Sequence, residues 1–424
     1  MGGPHLHAFR NWLKNKPDIG AIMDGIIYLD NAATSFPKPD VVHDTAREFY
    51  SKTGVNPGRT GCDLAIAAEQ MIHGTRKAFS EFFNKSLVDA GIEKDPNRLV
   101  FTMNATMSLN LIVNGMVGPG DHVITTMLEH NSVIRPVNHR VRDHGAESTY
   151  IVPDSEGYID PEDIRKAIKK NTTLVIVNHG SNVTGVVQDL KAIGAVCKEE
   201  GVPLAVDSAQ TAGVLPIDMM ECNISFLSFT GHKGLFGPTG TGGICVADDA
   251  EIKGTIYGGT GVRSAVPYHL EEYPYRLEAG TLNLCGIAGL NAGLGWVKEK
   301  GIKNIRAHEM ELFEKLQTGL GEIPGVKFWG TKNLERRVAT LSMTLENYDA
   351  QDVGTILDVE YGIQTRTGLH CAPLIHEHHG TVPRGTVRFS VGPFNTMEHI
   401  ETALRAVAEV AADRPVEVAG LEKS

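Results

Sequence analysis

Leu204-Ala205-Val206-Asp207-Ser208-Ala209-Gln210 decides how this chain folds: a strand-like apolar run ends on a carboxylate and passes at once into small polar residues. The pattern repeats on both sides. Upstream lie Leu99-Val100-Phe101-Thr102, His122-Val123-Ile124-Thr125 and Thr173-Leu174-Val175-Ile176-Val177; downstream lie Ile224-Ser225-Phe226-Leu227-Ser228 and Gly243-Ile244-Cys245-Val246. Amphipathic segments such as Asp189 to Glu200 fill the gaps. Strands alternating with helices in this way predict repeated βα units, hence an α/β fold with a mostly parallel sheet flanked by helices between about residues 98 and 260.

Beyond Gly258-Gly259-Thr260-Gly261 a long helical region runs from about Cys285 to Leu320 and bridges to a second domain. There, alternation in Val338-Ala339-Thr340-Leu341-Ser342-Met343 and Thr386-Val387-Arg388-Phe389-Ser390 predicts antiparallel strands, followed by an amphipathic helix from Thr396 to Ala411. The expected organisation is an N-terminal arm (1–25), a large domain (26–295) and a smaller C-terminal α+β domain (296–424).

Whole-chain properties exclude several classes. With 424 residues, 42% of them hydrophobic and 21% charged, the chain can bury a large core or two unequal ones. A formal net charge of −11, with no Lys/Arg run, gives no footprint for a phosphate backbone, so nucleic acid is not an expected partner. The N-terminus lacks an apolar signal core and no run reads as a membrane span; Ala279 to Val297 is uncharged but reads as a turn and a buried helix. Six scattered cysteines with no C-x-x-C pair fit a reducing cytoplasm.

Ligands of α/β sheets bind beyond the carboxyl ends of the strands, and the polar residues there form a consistent set. Asp207 at a strand end needs a cationic partner, which a pyridinium nitrogen supplies. Phe226-Leu227-Ser228-Phe229 runs into Thr230-Gly231-His232-Lys233-Gly234, where a desolvated Lys233 suits imine formation. Taken alone, that lysine reads first as a surface residue in a loop. Asn104-Ala105-Thr106-Met107-Ser108 opens an apolar helix and offers free N–H groups to a phosphate. Glu129-His130-Asn131 follows another strand, with His130 placed to stack on a flat ring, and Asn182 lies just past a third.

These residues, with Tyr28-Leu29-Asp30-Asn31-Ala32-Ala33-Thr34, Gly237-Pro238-Thr239-Gly240, Glu278-Ala279-Gly280-Thr281 and Arg366 to Cys371, resemble the class V aminotransferase family, fold type I of the pyridoxal 5′-phosphate (PLP) enzymes. Within it the chain resembles the cysteine desulfurase and selenocysteine lyase branch, from about residue 26 to about residue 411. The resemblance implies that the large domain binds PLP, Lys233 forms the internal aldimine, Asp207 pairs with the ring nitrogen, His130 stacks on the ring and Gln210 bonds its hydroxyl. It further implies that Ala105, Thr106, Thr230 and His232 hold the phosphate, that Asn182 contributes to the same site, and that Thr281 reaches the neighbouring subunit's phosphate in a homodimer.

An amino-acid substrate needs its carboxylate clamped, and Arg388, a charge in an apolar strand, is the expected clamp, assisted by Asn182 and Arg366. An outward-facing strand arginine is the alternative on pattern alone. Cys371, in Arg366-Thr367-Gly368-Leu369-His370-Cys371-Ala372-Pro373, is implied by the resemblance to be the thiol that takes sulfur from L-cysteine as a persulfide, with alanine as co-product and a protein acceptor next in line. Two features depart from the nearest pattern: Gly54 to Cys62 replaces a histidine-containing segment, and His376-Glu377-His378-His379 follows Cys371. The histidines read as a solvated loop, and no metal is expected. Gly237 to Gly243 precedes a strand and is not a nucleotide fingerprint. Open readings are cysteine desulfurase, selenocysteine lyase or another PLP aminotransferase or lyase of the family, and a non-catalytic scaffold.

Overall fold

The computed structural model describes residues 25–58 and 61–413. The expected arm lies outside these apart from Gly25, as do Arg59 and Thr60 of the segment before the long helix. In chain order the elements are β1 (Ile27–Tyr28), α1 (Asp40–Lys52), α2 (Asp63–Phe82), α3 (Lys85–Asp89), β2 (Leu99–Thr102), α4 (Ala105–Met116), β3 (His122–Thr126), α5 (Asn131–His144), β4 (Glu147–Ile151), α6 (Pro161–Ala167), β5 (Thr172–Asn178), α7 (Leu190–Glu199), β6 (Leu204–Asp207), β7 (Phe226–Thr230) and β8 (Gly242–Val246). Then follow α8 (Leu284–Lys300), α9 (Ile302–Glu322), β9 (Val326–Phe328), β10 (Thr340–Leu345), α10 (Ala350–Tyr361), β11 (Ile363–Gln364), β12 (Arg366–Gly368), α11 (Pro373–His379), β13 (Thr386–Ser390) and α12 (Met397–Ala412).

The large sheet has the order β2-β8-β7-β6-β5-β3-β4 and is parallel except for β8, which runs against both neighbours. Because successive strand residues point to opposite faces, each strand feeds two cores: Val175, Val177, Leu204, Val206, Leu227 and Phe229 go to one face, Leu174, Ile176, Ala205 and Phe226 to the other. That double burial explains the unbroken apolar runs. β4 escaped the sequence reading because Glu147-Ser148-Thr149-Tyr150-Ile151 is an edge strand, paired only with β3, and is polar and mostly half-buried.

The smaller sheet, β12-β13-β10-β9, is antiparallel and packs a core containing Leu312, Phe313, Leu341, Phe389 and Val407. Two expectations change. The helical region from Cys285 to Leu320 is two helices, separated by Gly301 at φ +78°. The N-terminal strand, expected in the large domain, is built into the smaller one: Ile27 pairs with Ile363, Tyr28 with Gln364, Asp30 bridges Ser390, and Ile27 and Leu29 enter the smaller core. Burying these two apolar residues fixes this segment on the smaller unit. Among the described residues no helix is long and apolar enough to cross a membrane.

Arg337 ties the two units. It is fully buried, donates to the carbonyls of Thr331, Thr184 (3.1 Å) and Thr340 (2.8 Å), and lies 4.3 Å from the Phe313 ring centroid. Arg337→Met keeps volume and strands these buried acceptors, so a loss of about 2–4 kcal/mol is expected. A urea unfolding midpoint that does not move would contradict this.

Candidate active site

β5, β6 and β7 run parallel, so their carboxyl ends meet at one edge, where Asn178 lies in register with Asp207 and Asp207 with Ser228. Beyond that edge is a cavity of about 220 Å³. It gathers Ala105, Thr106, His130, Asn182, Asp207, Gln210, Thr230, His232 and Lys233 from the large unit, and Arg366, Cys371 and Arg388 from the smaller one. Of the expected site residues only Thr281 is absent. It lies with Glu278 and Gly259 on a separate cleft of about 460 Å³.

One end of the cavity is built for an anion. Asn104 caps α4 by accepting from Met107 N–H, which leaves the Ala105 and Thr106 N–H groups without a protein acceptor. The Thr230 hydroxyl at the end of β7 is buried and unpartnered. His232 completes this end, its Nδ1 3.1 Å from the Thr34 hydroxyl. Free donors at a helix N-terminus beside an orphaned hydroxyl suit a phosphate group.

The opposite side is electrostatically poised. Burial pushes the Asp207 carboxyl above its ordinary value, while the Ala209 N–H, 2.9 Å from Oδ1, and the Lys233 ammonium favour its charged form. Lys233 is pushed down to about 8, first by desolvation and then by Arg388, with Asp207 opposing. His130 is pushed down to about 4 by burial and by the surrounding cations Lys233, Arg366, Arg135 and Arg388, so it is neutral at pH 7. Its Nδ1 accepts from Ser132 N–H (3.0 Å), which leaves the ring proton on Nε2. Gln210 lines the cavity while its Nε2 donates to the Ala32 carbonyl (3.0 Å).

Arg388, 2% exposed, points inward, which rejects the outward-facing alternative. Nη2 meets Asp30 Oδ1 at 2.5 Å, Nη1 donates to the Asn182 carbonyl at 3.1 Å, and Nε has no partner. Asn182, expected to assist the clamp, lines the same cavity. Its backbone oxygen holds Arg388, and its side-chain amide donates to the His370 carbonyl (2.7 Å).

Cys371 is exposed, with Arg366 Nη2 3.9 Å from its sulfur. His370 and Cys371 both adopt left-handed backbone, φ +47° and +59°, at a cost of about 1–3 kcal/mol each. Three anchors hold this shape: His370 Nε2 to the Thr386 hydroxyl (2.8 Å), Asn182 to the His370 carbonyl, and Asn131 N–H to the Cys371 carbonyl (2.7 Å). By contrast, burial pushes the thiols of Cys197 and Cys245 up to about 12 and Cys222 up to about 11.

The histidines after Cys371 do not form a solvated loop. Pro373 starts α11, whose inner face buries His376 with its Nδ1 2.8 Å from the Thr381 hydroxyl. Among the described residues no group of three or more His, Cys, Asp or Glu is arranged to hold a metal. Sequence reasoning missed Asp30, although it stands in the quoted motif Tyr28 to Thr34; a carboxylate between apolar Leu29 and Asn31 was the available signal.

Comparison with known proteins agrees with this geometry. The family model described as Aminotransferase class-V matches residues 27–403. A probable cysteine desulfurase of Methanothermobacter thermautotrophicus is 34% identical over 93% of this chain and 96% of its own length. A cysteine desulfurase of Haloferax volcanii is 30% identical over 90% of this chain and 88% of its own. The apo structure of a cysteine desulfurase from Thermococcus onnurineus superposes with a TM-score of 0.84 at 32% identity, covering 92% of this chain and 96% of that one.

Because its amine titrates near 8, Lys233 in the apoprotein is expected to react half-maximally with an amine-directed reagent near pH 8, about two units below solvent lysines. Asp207 favours the ammonium, so Asp207→Asn moves that midpoint lower still. Labelling read by peptide mass spectrometry checks both; an upward shift in the variant contradicts the assignment.

Proposed function

The chain belongs to the class V aminotransferase family, and from that premise we propose that it is a PLP-dependent cysteine desulfurase: it converts L-cysteine to L-alanine and passes the sulfur to Cys371. The observation that carries this reading is the meeting of Lys233, Asp207 and the free donors of α4 with Arg388 and the exposed Cys371 thiol around one cavity.

The family is PLP-dependent, and the residues present fit that group. The Ala105 and Thr106 N–H groups, the Thr230 hydroxyl and His232 suit its phosphate, buried Asp207 suits a pyridinium, Gln210 would bond its ring hydroxyl, and Lys233 would supply the amine for its aldehyde. When bound, PLP supplies an electron sink for a carbanion at the substrate α-carbon.

The protein's own groups then have definite tasks. Arg388, already oriented by Asp30 and Asn182, has unused N–H donors for the substrate carboxylate, with Arg366 as a second cation. Lys233, with an amine titrating near 8, takes and returns a proton at the α-carbon. His130, neutral and carrying its proton on Nε2, presents a donor and a flat face rather than a charge. At Cys371 the sulfur bond changes hands: the substrate Cβ–S bond breaks and an S–S bond forms. Protons and electrons balance, since the substrate carbon ends reduced as alanine and the transferred sulfur ends oxidised as a Cys371 persulfide, for a sulfur acceptor to remove.

The homodimer belongs to the same reading. Thr281 lines a cleft separate from its own cavity, with Gly259, Tyr275 and Glu278, and there it would complete the phosphate site of a second copy.

Cys371→Ala is expected to abolish alanine release from L-cysteine while sparing release from selenocysteine, and full retention of cysteine turnover would sink the proposal. Asp30→Asn loosens the carboxylate clamp, and is expected to raise KM for L-cysteine about tenfold with kcat within about threefold. Steady-state kinetics separate the two parameters; an unchanged KM counts against the clamp.

A further inference from the structure

The peptide oxygen of His232, one bond before Lys233, is the most heavily subscribed acceptor around the site. Lys38 Nζ reaches it at 2.6 Å, the Thr34 hydroxyl at 3.0 Å, and both the backbone N–H and hydroxyl of Ser35 at 3.2 Å. Such an oxygen has two lone pairs, so these donors compete, and the charged donor at the shortest distance dominates. The next carbonyl, that of Lys233, accepts from the Ser35 hydroxyl (3.0 Å) and from Phe236 N–H (2.8 Å). A single loop, Thr34 to Lys38, therefore grips both carbonyls of the His232-Lys233 pair.

Lys38 spends its ammonium entirely on this loop and the His232 carbonyl. Its other two bonds go to the Ser35 carbonyl (2.8 Å) and hydroxyl (2.7 Å), and no carboxylate pairs with it among the described residues. A lysine gains most by leaving its charge in water; this one is drawn in and its pKa falls to about 8 through desolvation. The grip is needed because Gly231 and Gly234 flank the pair. A Cβ on Gly234 would stand 2.6 Å from Val214 Cγ2 and 2.7 Å from the Ala212 carbonyl, so close packing demands glycine there and forfeits local stiffness.

We propose that Lys38 is a positioning residue for Lys233: its ammonium fixes the His232 peptide plane so that the Lys233 side chain enters the cavity in the orientation that captures the cofactor aldehyde. This deepens the PLP reading and rests on it. Capture means that the Lys233 amine adds to the aldehyde carbon, a C=N bond replaces C=O, and the oxygen leaves as water, with no change of oxidation state. Lys38 itself touches none of the reacting atoms.

The test compares two cofactor forms on the apoprotein. PLP is captured covalently and followed by visible absorbance; pyridoxamine 5′-phosphate has an amine in place of the aldehyde, and its binding is followed by intrinsic fluorescence. In Lys38→Met, capture at saturating PLP is expected to slow at least about tenfold while pyridoxamine 5′-phosphate affinity stays within about threefold; Lys38→Arg restores the rate. Ser35→Ala, which removes a donor to both carbonyls, is expected to slow capture in the same pattern, and it decides the matter should Lys38→Met fail to fold. Wild-type capture rates in Lys38→Met, or equal losses for both compounds, overturn the proposal while leaving the cofactor reading intact. A wild-type apoprotein that binds neither compound overturns the cofactor reading, and this proposal with it.

Discussion

A guanidinium that is 2% exposed must be satisfied where it stands, and Arg388 makes three separate parts of the chain converge to do so. The arginine comes from β13 of the smaller unit, its carboxylate partner Asp30 from the strand that opens the described chain, and its carbonyl partner Asn182 from the loop after β5 of the large unit. Burying such a charge costs several kcal/mol unless its donors are met, so the site exists only when all three segments are in place. This explains why β1 belongs to the smaller unit. Its register with β11 and the bridge from Asp30 to Ser390 carry Asp30 to the guanidinium.

The same convergence sets the titration of the cavity. Lys233, Arg366 and Arg388 crowd positive charge against it, with Asp207 and Asp30 opposing. The consequence is a lysine amine poised near neutrality and a histidine held neutral, both by desolvation first and by neighbouring cations second. Behind His130, Glu129 is fully enclosed, and burial lifts its carboxyl to about 8 despite the Thr126 hydroxyl at 2.7 Å and Asn178 N–H at 2.9 Å. A neutral acid there adds no negative charge beside Asp207, which remains the carboxylate that faces the cavity.

What was legible in the sequence follows the same physics. Strands buried on both faces have unbroken apolar runs, so β2, β3, β5, β6, β7 and β8 were readable, and the polar residues ending them marked the cavity edge. β4, paired on one side and mostly half-buried, had no such signature. Lys233, Asp207 and His130 were legible because each ends or follows an apolar strand in chain order, whereas Cys371 was legible only through the resemblance of its segment to the family's. Asp30 and Lys38 were not, because their partners lie hundreds of positions away, at Arg388 and His232, and no local pattern encodes a contact of that range. His376 misled for a related reason: a run of histidines looks solvated until the helix that Pro373 starts turns one of them inward.

Cys371 shows how the fold reconciles two opposed demands. A thiol that takes an atom from a substrate in a cavity must face inward, and one that hands it on must be reachable from solvent. A long mobile loop would meet both by moving. Here the residues between β12 and α11 are few and tethered: the His370 and Cys371 carbonyls are bonded to Asn182 and Asn131, and the His370 ring is locked to Thr386. Those tethers offset the left-handed backbone at two consecutive residues that are not glycine, and that backbone turns Cys371 to the rim, where it lines the cavity and is also exposed. Strain held by hydrogen bonds to the large unit thus does the work of motion, and Asn182 is central because it holds the carboxylate clamp through its backbone and the thiol segment through its side chain.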